Sequence, residues 1–292
     1  MFEQLGLIGC GLMGGSFALA LKRAGLVKRV VGYSKSPSTT ERARQMGVID
    51  VEAPSALLAV SGADIVLLAV PVSATEATFK AIRHLITANT LVMDVGSTKR
   101  DVVDAARRVL RNEVGCFVPA HPITGKELSG VEHADADLYT GKQVILTPIE
   151  RTYTAQLNKA TSLWTALGCK VVQMSPQAHD AAYAAVSHLP HLIAFTLINS
   201  ISGQASGADY LSLAGPGFRD FSRIAASDSN MWRDILIANR EELLAQSKIF
   251  QQTLQSLEKL IAASDSDALE RELEKASNTR ANWRISTQKT HK

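Results

Sequence analysis

At 292 residues the chain has room for two domains of ordinary size, and 46% hydrophobic with 20% charged residues excludes a disordered or fibrous protein. Thirty-one Lys and Arg against 28 Asp and Glu leave a net charge of +3, too small and too evenly spread to argue for a nucleic-acid or membrane partner. The three cysteines, Cys10, Cys116 and Cys169, lack the close spacing of a zinc site or a disulfide framework, so a reducing cytoplasm is the expected compartment.

The start, Met1-Phe2-Glu3-Gln4, has no basic signal-peptide character, and no unbroken apolar run approaches the roughly 18 residues of a membrane span. Residues 4–8 read as a strand, 16–24 as a helix ended by Gly25, and 29–33 as a second strand. A helix over 39–46 precedes Gly47. Residues 64–70 are apolar after Asp64, the mark of a strand covered on both faces, and Pro71 stops it. Residues 73–86 are helical by spacing. A strand at 90–95, a helix at 100–110 and a strand at 116–120 come next, then strands at 142–147 and 170–173 around a helix near 154–167. Such alternation predicts an α/β fold with a mostly parallel, doubly wound sheet.

After Pro176 no convincing strand remains. Residues 177–202 are helical, and a Gly-rich stretch follows over 203–217. Asp228 is a good N-cap for a run to Ala263 that contains neither Gly nor Pro. At 1.5 Å per residue that helix would be about 50 Å long. Its apolar positions drift around the axis, so a second face meets either another subunit or a large core. Residues 267–276 form a final charged helix and 288–292 a frayed tail. The division expected is an N-terminal α/β domain over 1–174 and an all-α domain over 175–292.

Gly9-Cys10-Gly11-Leu12-Met13-Gly14 has the form G-x-G-x-x-G, directly after a strand and opening a helix. There the first glycine makes the turn, the second lets backbone approach a pyrophosphate, and the third allows close helix–strand packing. Free N–H groups at the helix start then face the phosphates. A tight turn without a ligand is the alternative, and the setting favours a Rossmann-like dinucleotide site. Leu12, Met13 and, at the next strand end, Val70 and Pro71 are counted among its contacts. The second strand ends in Gly32-Tyr33-Ser34-Lys35-Ser36, with no acid until Glu41. A hydroxyl followed by a cation, Ser34 then Lys35, suits a 2′-phosphate. NADP is therefore favoured over NAD, unless Lys35 is only a solvated turn residue.

Further segments bear chemistry: Asp94-Val95-Gly96-Ser97-Thr98-Lys99, Ala120-His121-Pro122-Ile123-Thr124-Gly125-Lys126-Glu127, Ser187-His188-Leu189-Pro190-His191, Gly215-Pro216-Gly217-Phe218-Arg219-Asp220-Phe221-Ser222-Arg223, and Met231-Trp232-Arg233-Asp234. Together, and in this order from the glycine loop to about Asp234, they resemble the prephenate/arogenate dehydrogenases of tyrosine biosynthesis. The resemblance implies oxidation of a cyclohexadienol with NAD(P)⁺, coupled to loss of the ring carboxylate. The product is 4-hydroxyphenylpyruvate from prephenate or tyrosine from arogenate. It also implies a homodimer built on the C-terminal helices, with substrate binding in that half.

By the same resemblance His121 accepts the carbinol proton, a task suited to a neutral imidazole, and Ser97 bridges that hydroxyl and the nicotinamide. A dicarboxylate substrate calls for a guanidinium fork. Arg223 occupies the family's substrate-binding position, and Arg219, four residues earlier, is expected on the same helix face or in a surface lattice with Asp220. His191 is expected at the substrate side chain, with His188 packing or orienting it. No metal is expected, since these two lack an acidic ligand at helical spacing. His179 and Asp180 match a supporting pair. Ser227 is a further substrate contact, Trp232 is either a contact or core, and Gly215 and Gly217 let backbone approach the ligand. Glu127 either favours the ammonium of arogenate or pairs with Lys126, which leaves the side chain of the substrate open. His84, His133 and His291 read as surface residues.

Some positions depart from the family pattern. Thr124 and Lys126 stand where many relatives have Ala and Thr, and Asp228-Ser229-Asn230 lacks a proline often found before Met-Trp. No βαββαβ regulatory domain follows the helices, so tyrosine control through one is not expected. A β-hydroxyacid dehydrogenase shares the Gly-Leu-Met-Gly loop but needs a lysine that 177–217 does not contain. A non-catalytic NADP sensor would have no use for His121, Ser97 and Arg223.

Overall fold

The structure is a computed structural model that describes residues 1–126 and 128–283. Glu127, His291 and the tail expected over 288–292 lie outside the described residues. The chain opens as β1 (Phe2–Ile8), α1 (Leu12–Arg23), β2 (Val27–Tyr33), α2 (Pro37–Gln45), β3 (Val51–Glu52), α3 (Ala56–Val60), β4 (Ile65–Leu68), α4 (Thr75–Ile82), β5 (Leu91–Asp94), α5 (Arg100–Leu110) and β6 (Phe117–Val118). The strands pair all-parallel in the order β3-β2-β1-β4-β5-β6. The order reverses between β1 and β4, which opens a crevice at their carboxyl ends, the place where doubly wound sheets bind ligands.

Each face of the sheet carries its own core. On one, Phe17 of α1 packs against Trp164 with ring centroids 4.9 Å apart, and the Tyr139 hydroxyl donates to the Met13 carbonyl at 2.7 Å. On the other, Phe79 of α4 meets Phe117 edge-on at 5.2 Å. β4 is buried along its whole length, so its unbroken apolar run is explained by cover on both sides. The stripe Val102, Val103, Ala106, Val109 and Leu110 seats α5 on the sheet at helical spacing. β3 has two residues, too few to show a period, and was not expected.

The single strand expected at 116–120 is divided at Pro119, which has no N–H to continue a ladder. Beyond it β7 (Ala120–Pro122) joins β8 (Gln143–Leu146) and β9 (Lys170–Gln173), with α6 (Thr154–Ala166) between the last two. These three strands form a separate sheet, antiparallel between β7 and β8 and parallel between β8 and β9. The expectation that they extend the main sheet is therefore corrected. His121 lies within a strand, opposite Ile145, rather than just past a strand end.

From Pro176 on, the elements among the described residues are helical. α7 (Pro176–Tyr183) runs through a π-helical segment, Ala184–His188, into α8 (Leu189–Ser202). The glycine-rich stretch holds two short helices, α9 (Gly207–Ser212) and α10 (Pro216–Ser222). The long helix expected from Asp228 is two helices, α11 (Ser229–Ala238) and α12 (Arg240–Ala262), interrupted at Asn239 with φ −104° and ψ 28°. The Asp228 cap is as expected, its carboxylate accepting from the Met231 N–H at 2.7 Å. α13 (Ser266–Asn282) closes the described chain. The run Pro176–Ser202 is long and apolar enough to cross a membrane by length and composition, with 17% of its most apolar window buried. The expectation that no apolar run approaches the length of a membrane span is corrected for this helix, whose isolated polar residues hid its mean hydropathy.

Candidate active site

The crevice between β1 and β4 is shaped by its glycines. Gly9 has φ +96°, and a Cβ there would lie 2.1 Å from the Ala69 carbonyl oxygen. A Cβ on Gly14 would lie 2.1 Å from the Gly9 oxygen and 2.9 Å from Leu7 and Ala69. These two positions are closed to any side chain. Gly11 is the opposite case: a Cβ there meets nothing within 4 Å. It is the N-cap of α1, whose start has no side-chain cap and no acid in its first turn. Free N–H groups facing open space at a positive helix end fit a dinucleotide pyrophosphate. Val70 and Pro71 follow β4 at the same edge of the sheet, beside Ala69. The Ser34 hydroxyl accepts from the Cys10 N–H at 2.9 Å, which ties the end of β2 to the loop. Lys35 is exposed next to it.

A chain of hydrogen bonds starts at His121. Its Nδ1 lies 2.8 Å from His179 Nε2, and His179 Nδ1 lies 2.7 Å from Asp180 Oδ1. Asp180 also accepts the backbone N–H groups of Lys99 at 2.8 Å and Arg100 at 2.9 Å. It thus caps α5 from the other half of the molecule. Burial opposes ionisation of Asp180, but the bonds from His179 and Arg100 outweigh it and hold its pKa below the usual value. The polarity of the chain follows. An ionised Asp180 can only accept, so the His179 hydrogen is on Nδ1 and its Nε2 carries the lone pair. His121 must then donate from Nδ1, which leaves His121 Nε2 as a bare lone pair. Burial, then the neighbouring His179 and Lys99, push the His121 pKa well below the ordinary imidazole value, and burial also lowers that of His179. Tyr183, which sequence reasoning missed, stacks on His179 at 4.5 Å and leans on His121 at 4.9 Å.

A buried ion pair fixes where this chain stands. Lys99 is fully buried and its Nζ donates to Asp94 Oδ2 at 2.5 Å and to the Ala120 carbonyl at 2.8 Å. Asp94 accepts the N–H of Ala120 at 3.0 Å and of Gly96 at 2.8 Å. The loop carrying Ser97 is thereby tied to the strand carrying His121. Losing one partner of such a pair costs about 3–5 kcal/mol, whereas the pair itself adds little net stability. Its consequence is positional.

The helical half supplies the remaining groups. His191 donates from Nδ1 to the Ser187 carbonyl at 2.9 Å and stacks on Trp232 at 3.5 Å, so its Nε2 is free to accept. Burial is the main cause that lowers its pKa, and Arg223 is near enough to add to it. Trp232 is buried, as the core reading expects, and packs its ring against His191. Arg223 begins a 3-10 turn just after α10 ends. Arg219 itself is 79% exposed and leans on Asp220 at 3.6 Å, the surface-lattice arrangement. Ser227 is half-buried at the end of the same turn, and a Cβ on Gly215 or Gly217 would meet nothing, so neither glycine is required by the chain's own packing.

The halves are joined around the site. Ser73, in the loop after β4, donates to Asp234 of α11 at 2.5 Å, and Arg100 reaches Glu241 and Glu242 of α12. Asn239, at the helix interruption, donates to the Asp180 carbonyl at 2.8 Å and to His188 Nδ1 at 3.0 Å. A buried Asn within an otherwise apolar helical stripe is the signal that could have pointed to it.

Comparison with known proteins places this geometry. The model of the prephenate dehydrogenase nucleotide-binding domain matches residues 17–173, and that of the prephenate dehydrogenase dimerization domain matches 175–275. The chain is 34% identical to cyclohexadienyl dehydrogenase of Zymomonas mobilis, over 92% of each chain. It is 37% identical to prephenate dehydrogenase of Bacillus subtilis over 84% of this chain, and spans 66% of the length of that protein. Among solved structures, prephenate dehydrogenase from A. aeolicus in complex with hydroxyphenyl propionate and NAD⁺ superposes with a TM-score of 0.90. The two are 35% identical, over 96% of this chain and 98% of the other.

Proposed function

The chain belongs to the prephenate dehydrogenase family, and on that premise we propose that it oxidatively decarboxylates prephenate, arogenate or both with NAD(P)⁺. The products are CO₂ with 4-hydroxyphenylpyruvate or tyrosine. The observation that carries this reading is the polarity of the His121–His179–Asp180 chain, which leaves a bare lone pair on His121 Nε2. The family match extends through both halves, which sets aside a β-hydroxyacid dehydrogenase and a non-catalytic sensor.

The nicotinamide, when bound, accepts the hydride. His121 Nε2 takes the proton of the carbinol hydroxyl as that hydride leaves, so the carbon–oxygen bond acquires double-bond character. The bond from the ring to its carboxylate then breaks, its electrons make the ring aromatic, and the imidazolium returns its proton to the phenolic oxygen. His179 and Asp180 hold His121 in the required tautomer and steady its transient charge. Ser97 positions the same hydroxyl against the cofactor. His191 and Ser227 contact the substrate, and Arg223 holds one of its carboxylates by a charge-assisted pair. Replacing Arg223 with Gln therefore raises KM about 10- to 100-fold with a smaller change in kcat. An unaffected KM would show that Arg223 is only a surface group.

NADP is the favoured cofactor, because the Ser34 hydroxyl and Lys35 cation stand at the end of β2 without an acid. Cofactor reduction followed by its absorbance, with prephenate and arogenate each offered with NAD⁺ and NADP⁺, tests the whole reading; no reduction in any pairing would overturn it. In the same assay Ser34→Asp should lower the NADP⁺ to NAD⁺ ratio of kcat/KM by about 10-fold or more, since a carboxylate repels a 2′-phosphate and accepts from a ribose diol. An unchanged ratio would remove Ser34 from cofactor choice.

We assign the apolar surface of the helical half to a homodimer. Leu213 is 83% exposed and Leu244 64%, and Tyr210, Phe221, Ile249 and Ile261 are exposed as well, apolar side chains that a second copy would cover. The three cysteines are buried and unpaired, which suits the reducing cytoplasm expected from the sequence.

A further inference from the structure

Two irregularities of the helical half converge on His188. The π-helical segment Ala184–His188 ends on it, and π-bulges are concentrated at functional sites. The interruption between α11 and α12 places Asn239 against it. The hydrogen of His188 can be located by logic. The Asn239 group that meets His188 Nδ1 also donates to the Asp180 carbonyl, which can only accept, so it is the amide nitrogen. Its second hydrogen points at His188 Nδ1, which is therefore the lone-pair atom, and the ring hydrogen is on Nε2. That Nε2–H is buried in a ring 1% exposed and, among the described residues, makes no well-formed hydrogen bond. The acceptor at hand is the Ser97 backbone, which favours the His188 proton, in a geometry short of a well-formed bond. Burial holds the ring neutral, with its pKa pushed down to about 4.

A buried donor without a well-formed bond is rare in folded proteins, and here the acceptor at hand belongs to the segment that carries Ser97. We propose that His188 is a positioning residue: its Nε2–H closes onto the Ser97 carbonyl when substrate and cofactor are bound, which fixes the Ser97 hydroxyl between them. Asn239 sets the tautomer that makes this possible. Apo hydrogen bonds in active sites are commonly long and tighten in the reacting complex, and His188 acts through Ser97 without touching the reacting atoms. This inference rests on the reaction proposed above.

Two conservative variants separate this role from simple packing. A Gln at 188 brings an amide N–H to the place of Nε2 but does not reach back to Asn239 as Nδ1 does. An Asn at 188 offers Asn239 its carbonyl in the place of Nδ1 but has no donor at the Nε2 position. His188→Asn should lower kcat about 10-fold or more, with His188→Gln within about 3-fold of wild type. The ranking by Tm should be reversed, Asn being the more stable of the two. The opposite order of kcat, or equal losses in both, would show that His188 only anchors Asn239 and would overturn the proposal. So would wild-type turnover in both. Activity of the wild-type chain with prephenate or arogenate tests the underlying reaction separately. Independently of turnover, nitrogen-15 spectra of the full chain should show His188 protonated at Nε2, with that proton moving downfield on addition of NADP⁺ and hydroxyphenylpropionate. A hydrogen on Nδ1, or an Nε2 proton that does not move, would also overturn it.

Discussion

Turnover by the His121→Asn variant should fall about 10³-fold, with KM within a few-fold of wild type. General base catalysis contributes about 10²–10⁴-fold, and His121 Nε2 is the lone pair that the hydrogen-bond chain leaves facing away from its partners. An Asn at 121 can still hydrogen-bond His179, so the site keeps its shape, but no group of suitable basicity remains. The loss therefore falls on kcat and on kcat/KM alike, the signature of an interaction made in the transition state. The pH profile gives a second reading. A base must be neutral, and burial, His179 and Lys99 depress the His121 pKa well below 6.5. Wild-type kcat/KM should thus stay level as pH falls through 6.5 and decline only at more acid values. The variant should lack that acid limb. Near-normal turnover of His121→Asn, measured as cofactor reduction, would remove His121 from the chemistry.

Asp180→Asn carries the second-largest expected loss, about 10²-fold in kcat or more, although Asp180 touches neither substrate nor cofactor. The carboxylate offers two oxygens to three donors, His179 Nδ1 and the N–H groups of Lys99 and Arg100. An amide has one oxygen. With its nitrogen toward His179, the whole chain reverses: His179 donates from Nε2, His121 accepts at Nδ1, and the His121 hydrogen moves to Nε2, where it blocks the base. With its nitrogen toward Arg100, the tautomers survive but an N–H at the start of α5 is opposed by another donor. Either way the negative charge that steadies a protonated His121 is gone. The start of α5 loses a cap worth about 1 kcal/mol, so a modest fall in Tm accompanies the kinetic loss. Unchanged kcat together with a lowered Tm would show that Asp180 is a cap and nothing more.

The parts of this arrangement that lie close together in the chain were legible from it. The glycine loop is six contiguous residues whose spacing is its own argument, and β4 announces itself by an apolar run. His121, Ser97 and Arg223 were singled out through the family resemblance of the segments that carry them. The partnerships were not legible. His121 and His179 are 58 positions apart, and no periodicity says that their rings meet. Asp94 and Lys99 stood in view, yet a lysine reads as exposed unless its partner and its burial are known. Pro119 was read as the middle of one strand because an apolar run continues through it, although a missing N–H parts the two sheets there. Asn239 interrupts a stretch without Gly or Pro, so propensity alone gave no stop. What stops the helix is a tertiary demand, the two hydrogen bonds that its side chain makes to Asp180 and His188.

The cap that Asp180 places on α5 has one more consequence. A single carboxylate from the helical half both terminates a helix of the nucleotide-binding half and orients its base, so the two tasks cannot be separated. Parting the halves by more than the length of a hydrogen bond would withdraw the carboxylate from both tasks together. The arrangement is an interlock: on the proposed mechanism, His121 is armed as a base only while the halves are docked. An excised nucleotide-binding half would still present the glycine loop and the His121 ring, but with nothing to choose which nitrogen bears the hydrogen.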